Sequence, residues 1–167
     1  MSTEAETLAA SDATPDSAQE RLRLALAVDE VAVWELDPRD DRLSLVIGLA
    51  RLYGLASDAA LTRRQDLLAP VLAEDLARIE ATIASVVPLP AGARVVRVEF
   101  RVRRTDGAVR WIRAAGEVRF DAAGTPVSVR GTARDVTDER RAADEHRRLL
   151  DIVEESPDII MTASGGG

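Results

Sequence analysis

Three consecutive stretches of this chain alternate apolar and charged side chains with a period of two, over residues 94–104, 110–120 and 125–134. Successive side chains of a strand point to opposite faces, so the pattern predicts three strands with one apolar and one charged face. The segments TDG (105–107) and DAAG (121–124) between them have the residues of hairpin turns. Strands of this length imply a strongly twisted antiparallel sheet.

Helical and extended patterns flank these strands. A helix is expected from Ser17, with Leu22, Ala25, Leu26 and Val28 as its apolar stripe. We predict a two-strand hairpin at 31–37 and 42–48, helical segments at 49–55, 61–72 and 72–87, and a final helix at 137–155. This order predicts an α+β fold with the helices collected on one face of the sheet.

The composition excludes several classes of site. The chain has no cysteine and one histidine, His146, which excludes thiol catalysis, iron–sulfur clusters, cysteine-based zinc sites and two-histidine metal sites. GxGxxG, P-loop and Ser–His–Asp patterns are absent, so we expect no enzyme in these residues. No apolar run is long enough for a membrane span, and we expect a soluble, cytoplasmic protein.

The net charge of −7 is unevenly spread. Residues 1–20 carry five acidic side chains and no basic one, and residues 135–158 carry nine acidic side chains against four arginines. The stretch between them is mildly basic. Acidic flanks around a mildly basic centre do not suggest a nucleic-acid binder, and the small, polar residues 1–19 are expected to form a disordered leader.

The charged face of the three strands is rich in arginine and contains Trp111. We take five side chains as a candidate interface: Arg97, Arg101, Trp111, Arg113 and Arg130. A tryptophan among charges indicates that something covers this face, such as the N-terminal helix or an acidic helix of a partner. A solvated face and an anionic ligand such as a nucleotide are the alternatives.

Four segments together resemble the PAS (PAS/PAC) sensory domain, over about residues 20–140: VAVWELD (31–37), LYGL (52–55), VLAEDLARI (71–79) and the block 100–145 that ends in DVTDER. The resemblance implies a five-stranded antiparallel sheet that cups a pocket against short helices, and it implies a homodimer. It also implies a regulatory role upstream of a histidine kinase or a cyclic-di-nucleotide enzyme in the same chain. Residues 149–163 resemble the opening of a second PAS module.

With this resemblance, the apolar face of the strands becomes the wall of a pocket. The pocket-facing side chains are Val96, Val98, Phe100, Ile112, Ala114, Val118, Val127, Val129 and Ala133. None is titratable, so a ligand would be small and apolar, or held by polar groups from the helices. We favour a cup that is filled by its own side chains, as ordinary cores are.

The triplet Asp135, Val136 and Thr137 stands where the last strand becomes the final helix. Asp135 or Thr137 can accept hydrogen bonds from free N–H groups of that helix, and the resemblance makes the triplet a signal relay. Arg103 or Arg113 is a plausible partner for Asp135. We divide the chain into the leader 1–19, a PAS-like domain 20–136, a linker helix 137–156 and the start of a next module or a flexible end at 157–167.

The linker helix has a marginal coiled-coil seam. Its a and d positions are Val136, Glu139, Ala143, His146, Leu150 and Val153, which are poor at the start and better at the end. His146 on this seam could act as a pH switch, although a half-exposed helix residue is the favoured interpretation.

The cofactor remains unknown at this stage. Without cysteine, a LOV-type flavin adduct and a thiol-linked chromophore are disfavoured, and haem is disfavoured because His146 lies in the linker helix. The sequence thus predicts a sensory module that relays a signal through dimerisation and the exit helix. A ligand-free dimerisation or docking domain, or nucleotide binding on the arginine-rich face, is the alternative.

Overall fold

The three alternating stretches form the strands predicted for them, in a computed structural model that describes residues 15–85 and 92–154. These strands are β3 (Gly92–Arg103), β4 (Val109–Phe120) and β5 (Pro126–Asp135). β1 (Ala32–Asp37) and β2 (Arg42–Ile47) form the second hairpin. All five strands join one antiparallel sheet in the order β2-β1-β5-β4-β3. The prediction of an α+β fold with a five-stranded antiparallel sheet is confirmed.

Five α-helices accompany the sheet in the described ranges: α1 (Pro15–Val28), α2 (Leu49–Tyr53), α3 (Arg64–Leu68), α4 (Ala73–Ala84) and α5 (Thr137–Glu154). A single 3₁₀ turn, Asp58–Ala60, lies between α2 and α3. The Asp58 carboxylate accepts 2.7 Å hydrogen bonds from the N–H groups of Gly48 and Ala50, which fixes the start of α2. Gly54 ends α2 in the left-handed conformation, with φ of 74°.

The hydrophobic core lies between the inner face of the sheet and helices α2 to α4. Its fully buried members include Leu49, Val102 and Ile112. The register places Val98 opposite Ala114 and Phe100 opposite Ile112 on this face. The same pairing places Arg101 opposite Trp111 on the outer face, as the period of two predicts.

Helix α4 also closes one edge of the sheet. The edge strand β3 would otherwise leave backbone groups unpaired, and the segment before α4 pairs with it. The N–H of Leu72 donates to the carbonyl of Arg101 at 3.0 Å, and the N–H of Arg103 donates to the carbonyl of Pro70 at 2.7 Å. This contact ties the start of α4 to the C-terminal end of β3.

One of the expected boundaries changes. Helix α1 begins at Pro15, so residues 15–19 are helical and not part of a disordered leader; residues 1–14 lie outside the described residues. The stripe expected on α1 is poorly covered, because Leu22 is 47 % exposed and Val28 is 83 % exposed. The expected next module at 157–167 lies outside the described residues.

None of the described helices combines the length and the apolar character that crossing a membrane requires.

Candidate functional site

An apolar cavity of about 230 Å³ lies between the inner face of the sheet and helices α2 to α4. The prediction that side chains fill the cup is therefore wrong. The cavity is bounded by every strand of the sheet except β2 and by three helices. Its lining side chains come from Trp34, Leu36, Pro38, Tyr53, Arg64, Leu67, Leu68, Ile79, Ile83, Val96, Val98, Phe100, Ala114, Gly116, Val118, Pro126, Val129 and Ala133.

Seven of the nine predicted pocket residues line this cavity: Val96, Val98, Phe100, Ala114, Val118, Val129 and Ala133. Ile112 does not, because it is completely buried in the core beside the cavity. Val127 does not because of an irregularity between β4 and β5. Arg119 pairs with Ser128 and Phe120 pairs with Pro126, so the pairing skips Val127 and Pro126 takes its place in the lining.

The sequence reasoning missed the lining residues of β1 and of the helices. Trp34 and Leu36 share the inner face of β1 with Ala32, so the period of two in VAVWELD could have identified them. No comparable pattern marks Tyr53 or Leu67, because α2 and α3 have five residues each and carry too few turns to show which face is buried. Ile79 does belong to the apolar stripe of the longer helix α4, but that stripe predicts only a buried face and not a cavity.

Trp34 lies directly over two glycines of the sheet. Trp34 pairs with Gly131 across β1 and β5, and Gly131 pairs with Gly116 across β5 and β4. A Cβ atom built on Gly131 would lie 2.3 Å from Cζ2 and 2.4 Å from Cε2 of the indole. A Cβ on Gly116 would lie 3.7 Å from Cη2 of the same ring. The indole thus packs against the backbone of residue 131, and it has room to do so because glycine has no Cβ atom.

Two polar side chains reach the cavity lining. The buried Tyr53 hydroxyl donates a 3.2 Å hydrogen bond to the carbonyl of Leu67, and burial raises the pKa of Tyr53 well above its usual value. Arg64 forms a 3.0 Å ion pair with Asp41, and its side chain is 57 % exposed. Tyr53 is therefore neutral, and Arg64 is a partly exposed member of the lining that is already paired with a carboxylate.

The outer face is covered near Trp111 by the chain's own exit helix. The guanidinium of Arg140, in the first turn of α5, lies 3.9 Å from the centre of the Trp111 ring. The guanidinium of Arg101 lies 5.5 Å from the same centre. Both distances suit cation–π contacts. Helix α5 covers this tryptophan, and not the N-terminal helix or a partner as expected.

A cluster of ion pairs holds α5 to the outer face around Glu99. The Glu99 carboxylate accepts hydrogen bonds from Arg140 at 2.5 Å and from Arg113 at 2.6 Å. These two guanidinium groups hold the pKa of Glu99 below its usual range. Glu139 of α5 pairs with Arg113 at 3.1 Å and with Arg134 at 2.9 Å. Strands β3, β4 and β5 therefore all contact the first turn of α5.

The remaining interface candidates have different surroundings. Arg130 pairs with Glu35 of β1 at 3.1 Å, and Arg97 is exposed outside these clusters. Arg101 reaches around the sheet edge to α4, where its Nε lies 2.9 Å from Asp75 and its Nη2 lies 2.8 Å from Glu74. With so many of its arginines paired with carboxylates, this face is poorly suited to an anionic ligand.

Asp75 is the most enclosed charge in this region. Its side chain is 8 % exposed and also accepts a 2.7 Å hydrogen bond from the backbone N–H of Arg101. The pKa of Asp75 is lowered to about 2, mainly because its carboxylate accepts hydrogen bonds from the Arg101 side chain. Burial acts in the opposite direction, and the backbone hydrogen bond from Arg101 lowers the pKa further. The carboxylate links the first turn of α4 to β3.

The triplet Asp135, Val136 and Thr137 forms a joint that is fastened to Trp111. The N–H of Val136 donates to the carbonyl of Trp111 at 2.8 Å, and the N–H of Trp111 donates to Oγ1 of Thr137 at 2.9 Å. Asp135 accepts from the N–H of Thr137 at 2.8 Å and from its hydroxyl at 2.5 Å. Val136 is 1 % exposed.

The joint differs in two respects from the expected one. The Asp135 carboxylate bonds to Thr137 and not to the expected arginine, since Arg113 is engaged by Glu99 and Glu139. Thr137 directs its hydroxyl toward the backbone of β4 and not toward its own helix. Asp135 caps the first N–H of α5, as the sequence suggested for it.

The residues described form no group of three or more histidine, cysteine, aspartate or glutamate side chains placed to hold a metal ion.

A family model described as the PAS fold matches residues 48–133. No curated protein matches the chain in sequence. A crystal structure of a sensory box histidine kinase/response regulator from Burkholderia thailandensis E264 is similar, at 25 % identity and a TM-score of 0.64, covering 81 % of this chain and 98 % of that one.

Two further solved structures resemble the chain. A domain from a histidine kinase of Haloarcula marismortui, named as light and redox sensing, is 26 % identical with a TM-score of 0.55, covering 70 % of this chain and 99 % of that one. The N-terminal domain of a diguanylate cyclase with PAS/PAC sensor from Marinobacter aquaeolei is 16 % identical with a TM-score of 0.56, covering 66 % and 98 %.

Proposed function

Because the chain belongs to the PAS-fold family, we propose that it is the sensory module of a longer signalling protein, which binds a small molecule in its cavity and relays occupancy through α5. The domain resembles those of histidine kinases and diguanylate cyclases. An output domain of one of these kinds would follow in the same chain. The described residues act as a regulator, and catalysis belongs to the output domain.

The observation that supports the proposal most directly is that strand β4 contacts both the cavity and the joint formed by Asp135, Val136 and Thr137. Ala114, Gly116 and Val118 of β4 line the cavity. The backbone of Trp111, on the same strand, holds the joint by two hydrogen bonds, one accepted from the N–H of Val136 and one donated to the hydroxyl of Thr137. A displacement of β4 by a ligand would therefore reach Val136 and Thr137 directly. Asp135 keeps the start of α5 aligned with that strand.

The size of the cavity argues for a small ligand. Drug-sized ligands occupy pockets of roughly 300–1,000 Å³, and this cavity measures about 230 Å³. The chain has no cysteine for a flavin adduct or a thiol-linked chromophore. His146 is exposed on α5 and outside the cavity lining, so it is badly placed as a haem ligand. The cytoplasmic location expected from the sequence stays a prediction.

The proposal is tested by filling the cavity from β4 and measuring amide hydrogen exchange in α5. Ala114→Leu extends a side chain into the cavity and imitates a bound ligand. We expect it to change exchange in residues 137–143 by about three-fold or more, a local effect of the size seen in sub-global opening. The double variant Ala114→Leu with Asp135→Ala should lose this response, because Asp135 no longer aligns the joint.

Ala115→Leu is the matched control, since the same change one residue later points to the outer face, where Ala115 pairs with Arg97 and Thr132. Exchange in α5 that is unaltered by Ala114→Leu would refute the relay. The ligand-free docking domain would then be the better description of the module.

A further inference from the structure

We propose that the cavity binds a flat aromatic molecule of one or two rings, stacked on the indole of Trp34 and without a charge in its buried part. This inference rests on the proposed function, because it names the ligand class of the same cavity. It is carried by the placement of aromatic side chains, by the geometry of Trp34 and by the polarity of the lining.

The chain concentrates its few aromatic side chains around the cavity. It contains only two tryptophans, two phenylalanines and one tyrosine. Of these, Trp34, Tyr53 and Phe100 line the cavity, from β1, α2 and β3 respectively. Three separate elements thus converge their aromatic residues on one space. Aromatic rings prefer other rings in offset or edge-to-face contact, so such a space favours an aromatic guest over an aliphatic one.

Trp34 provides a flat surface inside this space. The indole lies across Gly131 and Gly116, with ring atoms close to both glycines. The sheet backbone therefore supports one side of the ring, and Trp34 is also one of the residues that line the cavity, so we infer that the opposite side of the ring is the surface offered to a ligand. A planar ligand can cover this surface fully, whereas a puckered ring of similar size touches it only with its axial and edge hydrogens.

The volume and polarity of the cavity define the rest of the ligand. An engineered apolar cavity of about 150 Å³ binds benzene, so a cavity of about 230 Å³ has room for one substituted ring or two fused rings. The Tyr53 hydroxyl is occupied by the Leu67 carbonyl, and Arg64 is paired with Asp41. No other lining side chain is ionisable, so a buried charge on the ligand would lack a partner.

The test compares toluene with methylcyclohexane, which has the same number of carbon atoms and more apolar surface. Burial of apolar area alone would favour methylcyclohexane. Stacking on Trp34 should reverse this order, and we expect toluene to bind about ten-fold more tightly by titration calorimetry. The indole N–H signal of Trp34 in nitrogen–proton spectra should shift during the titration, while that of Trp111 on the outer face should not.

Two glycine variants form a matched pair for the same titration. Gly131→Ala would push the indole into the cavity, because its Cβ would lie 2.3 Å from the ring. Gly116→Ala makes only ordinary contact, at 3.7 Å. We expect Gly131→Ala to weaken toluene binding about ten-fold and Gly116→Ala to change it by less than about three-fold, in line with the different steric costs. An unshifted Trp111 signal shows that each variant is folded.

Trp34→Leu keeps the proposal testable if Gly131→Ala does not fold, since it should abolish the preference for toluene. Equal or tighter binding of methylcyclohexane, or an equal effect of the two glycine variants, would overturn the inference. Binding of neither hydrocarbon would also overturn it. The relay would still be judged separately by the response of α5 to Ala114→Leu, which needs no ligand.

Discussion

At the scale of single residues, the ion pair between Asp75 and Arg101 holds a helix to the edge of the sheet. The two residues lie on α4 and β3, and the bidentate contact places an almost buried carboxylate beneath a partly exposed guanidinium. The same guanidinium approaches Trp111, which in turn contacts Arg140 of α5. Asp75 therefore stabilises one end of a chain of contacts that runs from α4 across the sheet edge to α5.

Asp75→Asn should lower the free energy of unfolding by about 2 kcal/mol at neutral pH, because a charge-assisted hydrogen-bond pair is lost. Since the pKa of Asp75 is lowered from 3.8 to about 2 on folding, its stabilisation is complete above about pH 4 and is lost as the pH falls through 2. Denaturant unfolding of both proteins between pH 7 and pH 2 should show the difference shrinking over that window.

Glu74→Gln is the control for this pH series. Glu74 contacts the same guanidinium at 2.8 Å, but its side chain is 79 % exposed. Exposed ion pairs contribute about 0–1 kcal/mol, so the control should remain close to the wild type. A pH-independent difference between Asp75→Asn and the wild type would contradict the assignment.

At this scale, the sequence predicts which face of the sheet each strand side chain points to. The period of two places Val98, Phe100 and Ala114 on the face of the sheet that lines the cavity, because successive side chains of a strand point to opposite faces. Val127 does not follow this rule, because the pairing of β4 with β5 shifts its register there, and no residue type in the sequence predicts that shift. The partners of Arg101 and Asp135 could not be read from sequence, since they depend on how α4 meets the sheet edge and on how the chain turns into α5.

At the scale of elements, α5 depends on the sheet for its first turn and on little else in the described part of the chain. Arg140 and Glu139 contact Glu99, Arg113, Arg134 and Trp111, whereas residues 141–152 are exposed. The sequence predicted the helix and its start almost to the residue, because the strand period stops at Asp135 and acidic residues follow. It could not predict that the same helix would cover Trp111.

Arg140→Ala should release the first turn of α5. Loss of the cation–π contact and of the pair with Glu99 should accelerate amide hydrogen exchange in residues 138–144 about five-fold. Arg141→Ala is the matched control, because Arg141 is 70 % exposed and pairs within its own helix, with Asp138 at 3.5 Å. About 1 M salt should partly imitate Arg140→Ala by screening the ion pairs. Equal exchange in the two variants would contradict this account.

At the scale of the whole molecule, the far half of α5 is the surface on which we predict that a partner copy packs, although α1 also exposes large apolar side chains, such as Val28 at 83 %. Leu149, Leu150 and Ile152 are all more than half exposed. The first two positions of the predicted coiled-coil seam are used within the domain, because Val136 is buried and Glu139 pairs with Arg113 and Arg134. A seam between two copies would therefore begin at Ala143 and continue through His146 and Leu150. The homodimer itself stays a prediction.

Leu150→Lys should weaken dimerisation at least about ten-fold, because a charge would enter the apolar seam. Leu149→Lys is the matched control, since Leu149 is similarly exposed, at 57 % against 51 %, but lies outside the a and d positions. Native mass spectrometry over a range of protein concentrations measures both dissociation constants. A monomeric wild type, or equal weakening by both variants, would contradict the predicted seam.

The anchoring of Val136 has a consequence for how the module is joined to whatever follows it. Because Val136 and Thr137 are held by β4, the rotational phase of α5 about its own axis is set by the sheet. Each residue added to a helix turns its end by about 100° and advances it by about 1.5 Å. In the longer protein that we propose, the angle at which a following domain is presented would be counted in residues from Val136. An insertion of seven residues would turn the end of the helix by about 700°, within about 20° of two full turns, whereas an insertion of two residues would turn it by about 200° and so present the opposite face.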